Sequence, residues 1–248
     1  MLDYLELAER KRDWKMSSDI SWDEIDSSLN SERKAVCIET YCVEEMYLPD
    51  YTSHGATLAR EVFGAAWFQT RWSFEESRHA LAFREYLIRS GMRSQSQFEA
   101  LESAVFRHAW TPPFSTMRQM VCYGALQEGV TYLAYRAQTE RAEQAGDDAL
   151  KSIFTHLARD EAAHAGFYRK AIEIEMEADR EATVADFAHV LANFKMPGDG
   201  LIACYRERLE TGGGGISPRR FMEGVVLPTL KSVAITRDQL KSAHCRPR

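Results

Sequence analysis

Two stretches of the chain set an acid and an imidazole three residues apart: Glu76 and His79 in "FEESRHALAF", and Glu161 and His164 in "RDEAAHAGFY". On an α-helix residue i+3 stands nearly above residue i, so each pair aims a carboxylate and a ring nitrogen at one point, where they can grip a metal ion together. A single ExxH carries no weight, because seven histidines scattered among the glutamates give roughly 0.7 such pairs by chance. Asp186 and His189 show how easily a DxxH decoy arises. Two further acids change the weighing: Glu45 in "YCVEEMYLPDY" and Glu128 in "YGALQEGVTYLAY". An uncompensated carboxylate among tyrosines, leucines and valines carries a large desolvation cost, and metal coordination is a natural reason for it to be there. For any one of the six the plainer reading is a surface glutamate or a satisfied core histidine; that reading weakens when all six are taken together.

Such donors need long helices to carry them. From Ser31 to about His54 apolar residues recur at helical spacing, with Gly55 as the expected stop and Pro49 predicting a kink. A second helical pattern covers 57–90 and ends at Gly91, and a shorter one covers 95–108 before the turn "TPP". Two more run from about Phe114 to Ala145 and from Asp147 to about Ala178, joined by a turn at "AGDD". Few runs alternate as strands do, so the predicted class is all-α: four long helices with additional shorter ones. Residues 1–30 read as a polar arm anchored by Trp14 and Trp22, 31–178 as the four-helix core, 180–235 as C-terminal helices and 236–248 as a tail, within one domain spanning 1–248. In the C-terminal part "MPGDG" and "TGGGG" interrupt the helices, the latter as a flexible hinge or loop. One glutamate on each of two helices and an ExxH on each of the other two is the arrangement of di-iron carboxylate bundles, which makes a ferritin-like four-helix bundle the expected architecture.

Composition narrows the function. Hydrophobic residues are 45% and charged residues 27% of the chain, ordinary values for a globular protein. No apolar run is long enough for a membrane span, and "MLDYLELAERKRDW" is charged where a signal peptide's apolar segment would lie, so a cytoplasmic protein without membrane insertion is expected. Cys37, Cys42, Cys122, Cys204 and Cys245 form no CxxC pair and read as reduced thiols. A formal charge of −6 argues against nucleic-acid binding.

The motifs carry a family resemblance. "WSFEESRH", "RDEAAH" and "EEMYLPDY" resemble the WxxEENRH, DExRH and TEExLPxY segments of the soluble acyl-acyl-carrier-protein desaturases, the short bacterial forms most of all. The third match places the ligand at Glu45, four residues before the proline, and leaves Glu44, like Glu75, as a flanking acid. "LQEGVT" resembles the segment of the fourth carboxylate, and "ANFKMPGD" and "GISPRRFMEGVVLPTLK" extend the likeness over roughly 10–235. The same comparison marks Thr131 as a candidate proton donor beside the oxygen site. It marks Asp160 as the acid that orients a ligand histidine. Trp14 matches the tryptophan through which electrons reach His79 by way of Asp160. Ala163 stands where the family usually has arginine and Ser77 where it has asparagine, departures that spare the six ligands and bear on substrate and outcome.

The resemblance implies two Fe ions, bridged by Glu76 and Glu161 and bound terminally by Glu45 with His79 and by Glu128 with His164. Dioxygen would be the co-substrate, because removing hydrogen from an unactivated methylene needs an oxidant no side chain supplies. It further implies an acyl chain held on an acyl carrier protein, a ferredoxin-like electron donor and a homodimer. Since fold and ligands fix the oxidant and not the product, a di-iron oxygenase that hydroxylates, N-oxygenates or cleaves a small carrier-bound molecule is the alternative, and a non-catalytic ferritin-like iron-binding protein a third. Gly124, Ala125 and Gly129 either leave room for an acyl chain or mark close helix packing. Arg60, Arg71, Arg84 and Arg89 are available to an acidic carrier, but each is more often a solvated helix charge, so no docking site is named.

Overall fold

The computed structural model describes residues 2–244. Among them there is no β-strand. The α-helices, in order, are α1 (Leu2–Lys11), α2 (Glu32–Glu45), α3 (Leu48–Ala59), α4 (Phe63–Arg89), α5 (Gln95–Val105), α6 (Met117–Ala145), α7 (Asp148–Ala178), α8 (Arg180–Ala192), α9 (Gly198–Leu201), α10 (Tyr205–Thr211), α11 (Pro218–Phe221), α12 (Leu227–Ser232) and α13 (Arg237–His244), with a π-helical segment at Met222–Val226. Two compact units divide the chain: residues 1–112, 134–160 and 197–215 form the first, and 113–133, 161–196 and 216–248 the second.

In the first unit the long pattern expected over 31–54 is two helices. Ser31 caps α2 by accepting from the Lys34 amide. The helix ends at Glu45 because the residue four positions on, whose N–H would bond to the Glu45 carbonyl, is Pro49. Proline is acceptable in a first turn, where its missing N–H has no helical partner in any case, so Pro49 opens α3 instead of kinking α2. Gly55 stops nothing: it lies buried inside α3, which runs on to Ala59. α2 and α3 both pack along α4. Tyr41, Phe83, Tyr135 and Phe154 make the aromatic core, with ring centroids 5.2 to 6.0 Å apart. The turn expected at "AGDD" forms with Gly146 at φ 73°, a left-handed conformation that glycine adopts without steric cost. Asp147 then accepts hydrogen bonds from the Leu150 amide at 3.1 Å, the Tyr86 hydroxyl at 2.5 Å and Lys34 Nζ at 2.8 Å.

The "TGGGG" stretch is not a loose hinge. A side chain at Gly212 would run into Cys37 and one at Gly214 into the Tyr41 hydroxyl, so these positions are bare because the loop lies directly on α2. The N-terminal arm is anchored as expected by Trp14, which is buried, while Trp22 is half-buried under Arg89, whose guanidinium lies 4.7 Å from its ring.

The second unit contains the N-terminal part of α6, most of α7, and α8. Asp179 caps α8. Arg118 and Gln119 of α6 hold Asp186 of α8 at 2.8 and 3.1 Å, which accounts for the DxxH decoy as a structural ion pair. The stretch read as a tail carries α13, which packs on α8. Cys245 lies outside the described residues.

Candidate metal centre

In the first unit Glu45, the last residue of α2, faces α4. His79 Nδ1 lies 3.9 Å from Glu45 Oε1 and 3.5 Å from Glu76 Oε2. In the second unit His164 Nδ1 lies 3.6 Å from Glu128 Oε2 and 3.5 Å from Glu161 Oε2. All six residues are buried, and within each triad the ligand atoms lie within 4.8 Å of one another. Their chemistry and spacing fit a divalent cation. Gaps of 3.5 to 3.9 Å exceed a hydrogen bond. Two donors each about 2.1 Å from a shared ion stand roughly 3.0 Å apart at a right angle and roughly 3.9 Å apart at 135°. Carboxylate and imidazole together suit iron.

The flanking acids are used differently. Glu75, fully buried, is neutralised by Arg12 at 3.2 Å and Arg71 at 3.0 Å. Glu44 accepts the Tyr205 hydroxyl at 2.8 Å and the Gly198 amide at 3.3 Å. The structure thus separates Glu45 from Glu44 and Glu76 from Glu75 by what each one touches.

Around the first triad is a shell of polar partners. Asp160 Oδ2 lies 3.4 Å from His79 Nε2, so it can accept a hydrogen bond from an Nε2–H and leave Nδ1 for a metal. The same oxygen accepts the Trp14 indole N–H at 2.8 Å and lies 3.4 Å from Arg78. Arg78 also donates to the Trp14 carbonyl at 2.7 Å, with its guanidinium 4.3 Å from the indole ring. On the other side Tyr135 donates to Glu45 Oε1 at 2.5 Å. Tyr51 donates to the Glu45 carbonyl at 3.2 Å and reaches its Oε2 at 3.5 Å. That hydroxyl replaces the helical bond that Pro49 cannot make, which explains a proline four residues after a ligand. Arg78 and Tyr51 occupy fixed positions of the quoted motifs, the arginine of "WSFEESRH" and the last tyrosine of "EEMYLPDY", although the motifs alone do not say what they touch; Tyr135 has no such signal.

The second triad is shaped by packing. Thr131, one turn beyond Glu128, is buried and donates its hydroxyl to the Gln127 carbonyl at 3.1 Å. A Cβ at Gly124 would meet the Tyr168 ring at 2.7 Å, and one at Gly129 would meet Val225 at 2.6 Å. Gly124 and Gly129 therefore mark close packing. Of the arginines available for docking, Arg71 and Arg84 are engaged by acids of the same chain, as is Arg89 by Glu85 at 3.2 Å. Cys37, Cys42 and Cys122 are buried free thiols and Cys204 an exposed one; burial pushes the Cys37 thiol up to about 12, so it stays protonated and inert. No described helix is long and apolar enough to cross a membrane.

Comparison with known proteins supplies the context. The fatty acid desaturase family matches residues 3–208. The putative acyl-[acyl-carrier-protein] desaturase DesA1 of Mycobacterium tuberculosis is 24% identical over 240 residues, which is 92% of this chain and 69% of that protein. The chloroplastic acyl-[acyl-carrier-protein] desaturase 7 of Oryza sativa is 32% identical over 168 residues, 63% of this chain and 41% of that protein. Among solved structures, the putative acyl-ACP desaturase DesA2 of Mycobacterium tuberculosis H37Rv superposes with a TM-score of 0.63 at 20% identity, covering 95% of this chain and 96% of that one. The fold is accordingly all-α and ferritin-like. With a match that takes in both ExxH helices and both single-carboxylate helices, the chain belongs to the fatty acid desaturase family.

Proposed function

We propose that the two triads are the halves of one binuclear iron centre, and that the protein uses it with dioxygen to place a double bond in an acyl chain borne by an acyl carrier protein. The observation that carries this reading is the duplication: two buried sets of two glutamates and one histidine, with the same 3.5 Å gap inside each ExxH, in a chain of the desaturase family. The balanced reaction takes two hydrogens from adjacent methylenes, dioxygen, two electrons and two protons, and gives an alkene and two waters.

Glu45, Glu76 and His79 would hold one iron, and Glu128, Glu161 and His164 the other. Bound there, the irons supply the dioxygen-derived oxidant that no side chain provides. The rest falls to the protein. Asp160 accepts a hydrogen bond from His79 Nε2–H and so fixes the ring. Trp14, the buried anchor of the N-terminal arm, is hydrogen-bonded to Asp160 and so links the arm to His79, a route for electrons from a ferredoxin-like donor. Tyr135 and Tyr51 fix Glu45. Thr131 becomes a proton donor by turning its hydroxyl away from the Gln127 carbonyl.

One observation favours a second reading, an oxygenase acting on a shorter carrier-bound molecule: Tyr168 and Val225 fill the space at Gly124 and Gly129. Mass spectrometry of the acyl-carrier product after incubation with Fe(II), reductant and dioxygen decides between them. A loss of two hydrogens is expected, and a gain of oxygen selects the second reading. Iron analysis with Mössbauer spectroscopy tests the centre itself: two irons per chain with antiferromagnetic coupling are expected, and two uncoupled irons would break the binuclear reading.

A further inference from the structure

Two indoles approach the first triad from opposite ligands. Behind His79 stands Trp14, joined to it through Asp160. Behind Glu45 stands Trp110, in the connection between α5 and α6, and the Tyr51 phenol joins the two. The Tyr51 hydroxyl lies 3.2 Å from the Glu45 carbonyl and 3.5 Å from Glu45 Oε2, and its ring centroid lies 6.5 Å from that of Trp110 in an edge-to-face contact. Trp110 is half-buried and lines a groove of about 280 Å³ with Asp50, Ser53, His54 and Thr57. A carboxylate, a phenol and an indole thus lead from a candidate ligand to the protein surface. Phenols and indoles are, with thiols, the side chains that most readily give up one electron, and neighbouring rings pass it on rapidly.

Charge sorts the indoles. Arg78 lies 4.3 Å from the Trp14 ring and Arg89 4.7 Å from that of Trp22, and a cation so close disfavours a positive hole on the indole. Among the described residues no guanidinium stands over Trp110. Its groove instead holds the Asp50 carboxylate, which favours the hole and can take the proton that the hole sheds. Trp72 also packs on Tyr51, at 5.3 Å, but it is only 6% exposed and lacks comparable access to water.

We propose that Tyr51 and Trp110 form an exit for oxidising equivalents, which discharges the iron centre when it has been oxidised with no substrate in place. The exit rests on the proposed iron centre and on neither choice of product. In one passage a single electron moves from Trp110 by way of Tyr51 to the oxidised centre, and the indole N–H proton leaves to Asp50 or water. Tyr51 ends unchanged, the centre is reduced by one electron, and Trp110 is left as a neutral radical. A thiol restores the indole by giving up its hydrogen atom.

Substrate-free turnover tests it. The Fe(II)-loaded full chain is exposed to dioxygen with catalase present and thiols absent; freeze-quenched samples are read by electron paramagnetic resonance, and oxygen gained at each tryptophan is mapped by peptide mass spectrometry. Without a thiol the radical is consumed by dioxygen, so Trp110 should gain oxygen by about an order of magnitude more than Trp67. Trp67 is 52% exposed and would lead if diffusing oxidants were responsible. An organic radical signal should appear and change shape when the tryptophans are indole-deuterated, and Trp110→Phe should abolish it. Tyr51→Phe should lower the oxygen gain at Trp110 by about an order of magnitude per iron oxidised, whereas Trp22→Phe should leave it unchanged. If Mössbauer spectra show two coupled irons that react with dioxygen while Trp110 gains no more oxygen than Trp67, or gains as much without the Tyr51 phenol as with it, the exit is overturned and the proposed function stands. Absence of coupled iron overturns both.

Discussion

The two triads hold the same donors at the same spacing, yet they are built into different surroundings. The first, Glu45, Glu76 and His79, is encased in hydrogen bonds: Asp160, Trp14 and Arg78 on the imidazole side, Tyr135 and Tyr51 on the carboxylate side. Beside the second, Glu128, Glu161 and His164, the Tyr168 ring and the Val225 methyl groups press onto Gly124 and Gly129 of α6. Polar chains conduct protons and electrons and orient ligands, whereas close packing excludes water and fixes shape. On the proposed function, the first triad is where reducing equivalents arrive and the second is where shape is imposed.

The largest effects should be alike on the two sides. Glu76→Ala and Glu161→Ala each remove a donor common to any metal-binding reading, and both should abolish turnover and leave at most one iron per chain by elemental analysis. Full iron and activity in either variant would break the equivalence. Asp160→Asn should separate the sides: losing the acid behind a ligand histidine weakens metal affinity by about 10- to 100-fold. Competition with a chelator, read by Co(II) absorption, should show one site weakened and the other unchanged. Equal weakening of both would erase the contrast.

Packing gives the next effect. Gly129→Ala forces a methyl group into Val225 and should destabilise the fold by about 1–3 kcal/mol in chemical denaturation. Adding Val225→Ala should recover part of the loss, and additivity of the two would show that they do not touch. The smallest effect is a pH slope. His156 stacks on Trp14 at 5.2 Å, and burial holds its pKa below the ordinary 6.5. As pH falls below 6.5, the unfolded chain takes up a proton that the folded chain resists, so stability should fall with acidification and recover as pH rises. His156→Gln should flatten this slope, measured by melting temperature between pH 5 and 8 (about the range where histidine titrates).

What could be read in the sequence was what repeats within a few residues. The ExxH pairs, the cap at Ser31, the stop at Gly91 and the turn at Gly146 all depend on local spacing. What escaped depends on distant partners or on context. Tyr135 matters because it meets a carboxylate ninety positions earlier in the chain. The glycines of "TGGGG" are small because α2 lies against them, not because the segment needs freedom. Pro49 looked like a kink in one helix; its position in a first turn, which only the surrounding backbone decides, made it the start of another. Gly124 and Gly129 left two readings open, room or contact, until Tyr168 and Val225 were located.

The proline has one more consequence. Five of the six candidate ligands are rooted mid-helix, where moving a side chain's base means disturbing a ladder of backbone bonds. Glu45 alone stands at a helix tip, its carbonyl tethered by a phenol instead of an amide. Terminal residues open at lower free energy than interior ones. A centre held there would therefore rest on five side chains rooted in helix interiors and one rooted at a helix end, where two phenols rather than a backbone ladder hold it in place, on the side that the proposed electron route would reach.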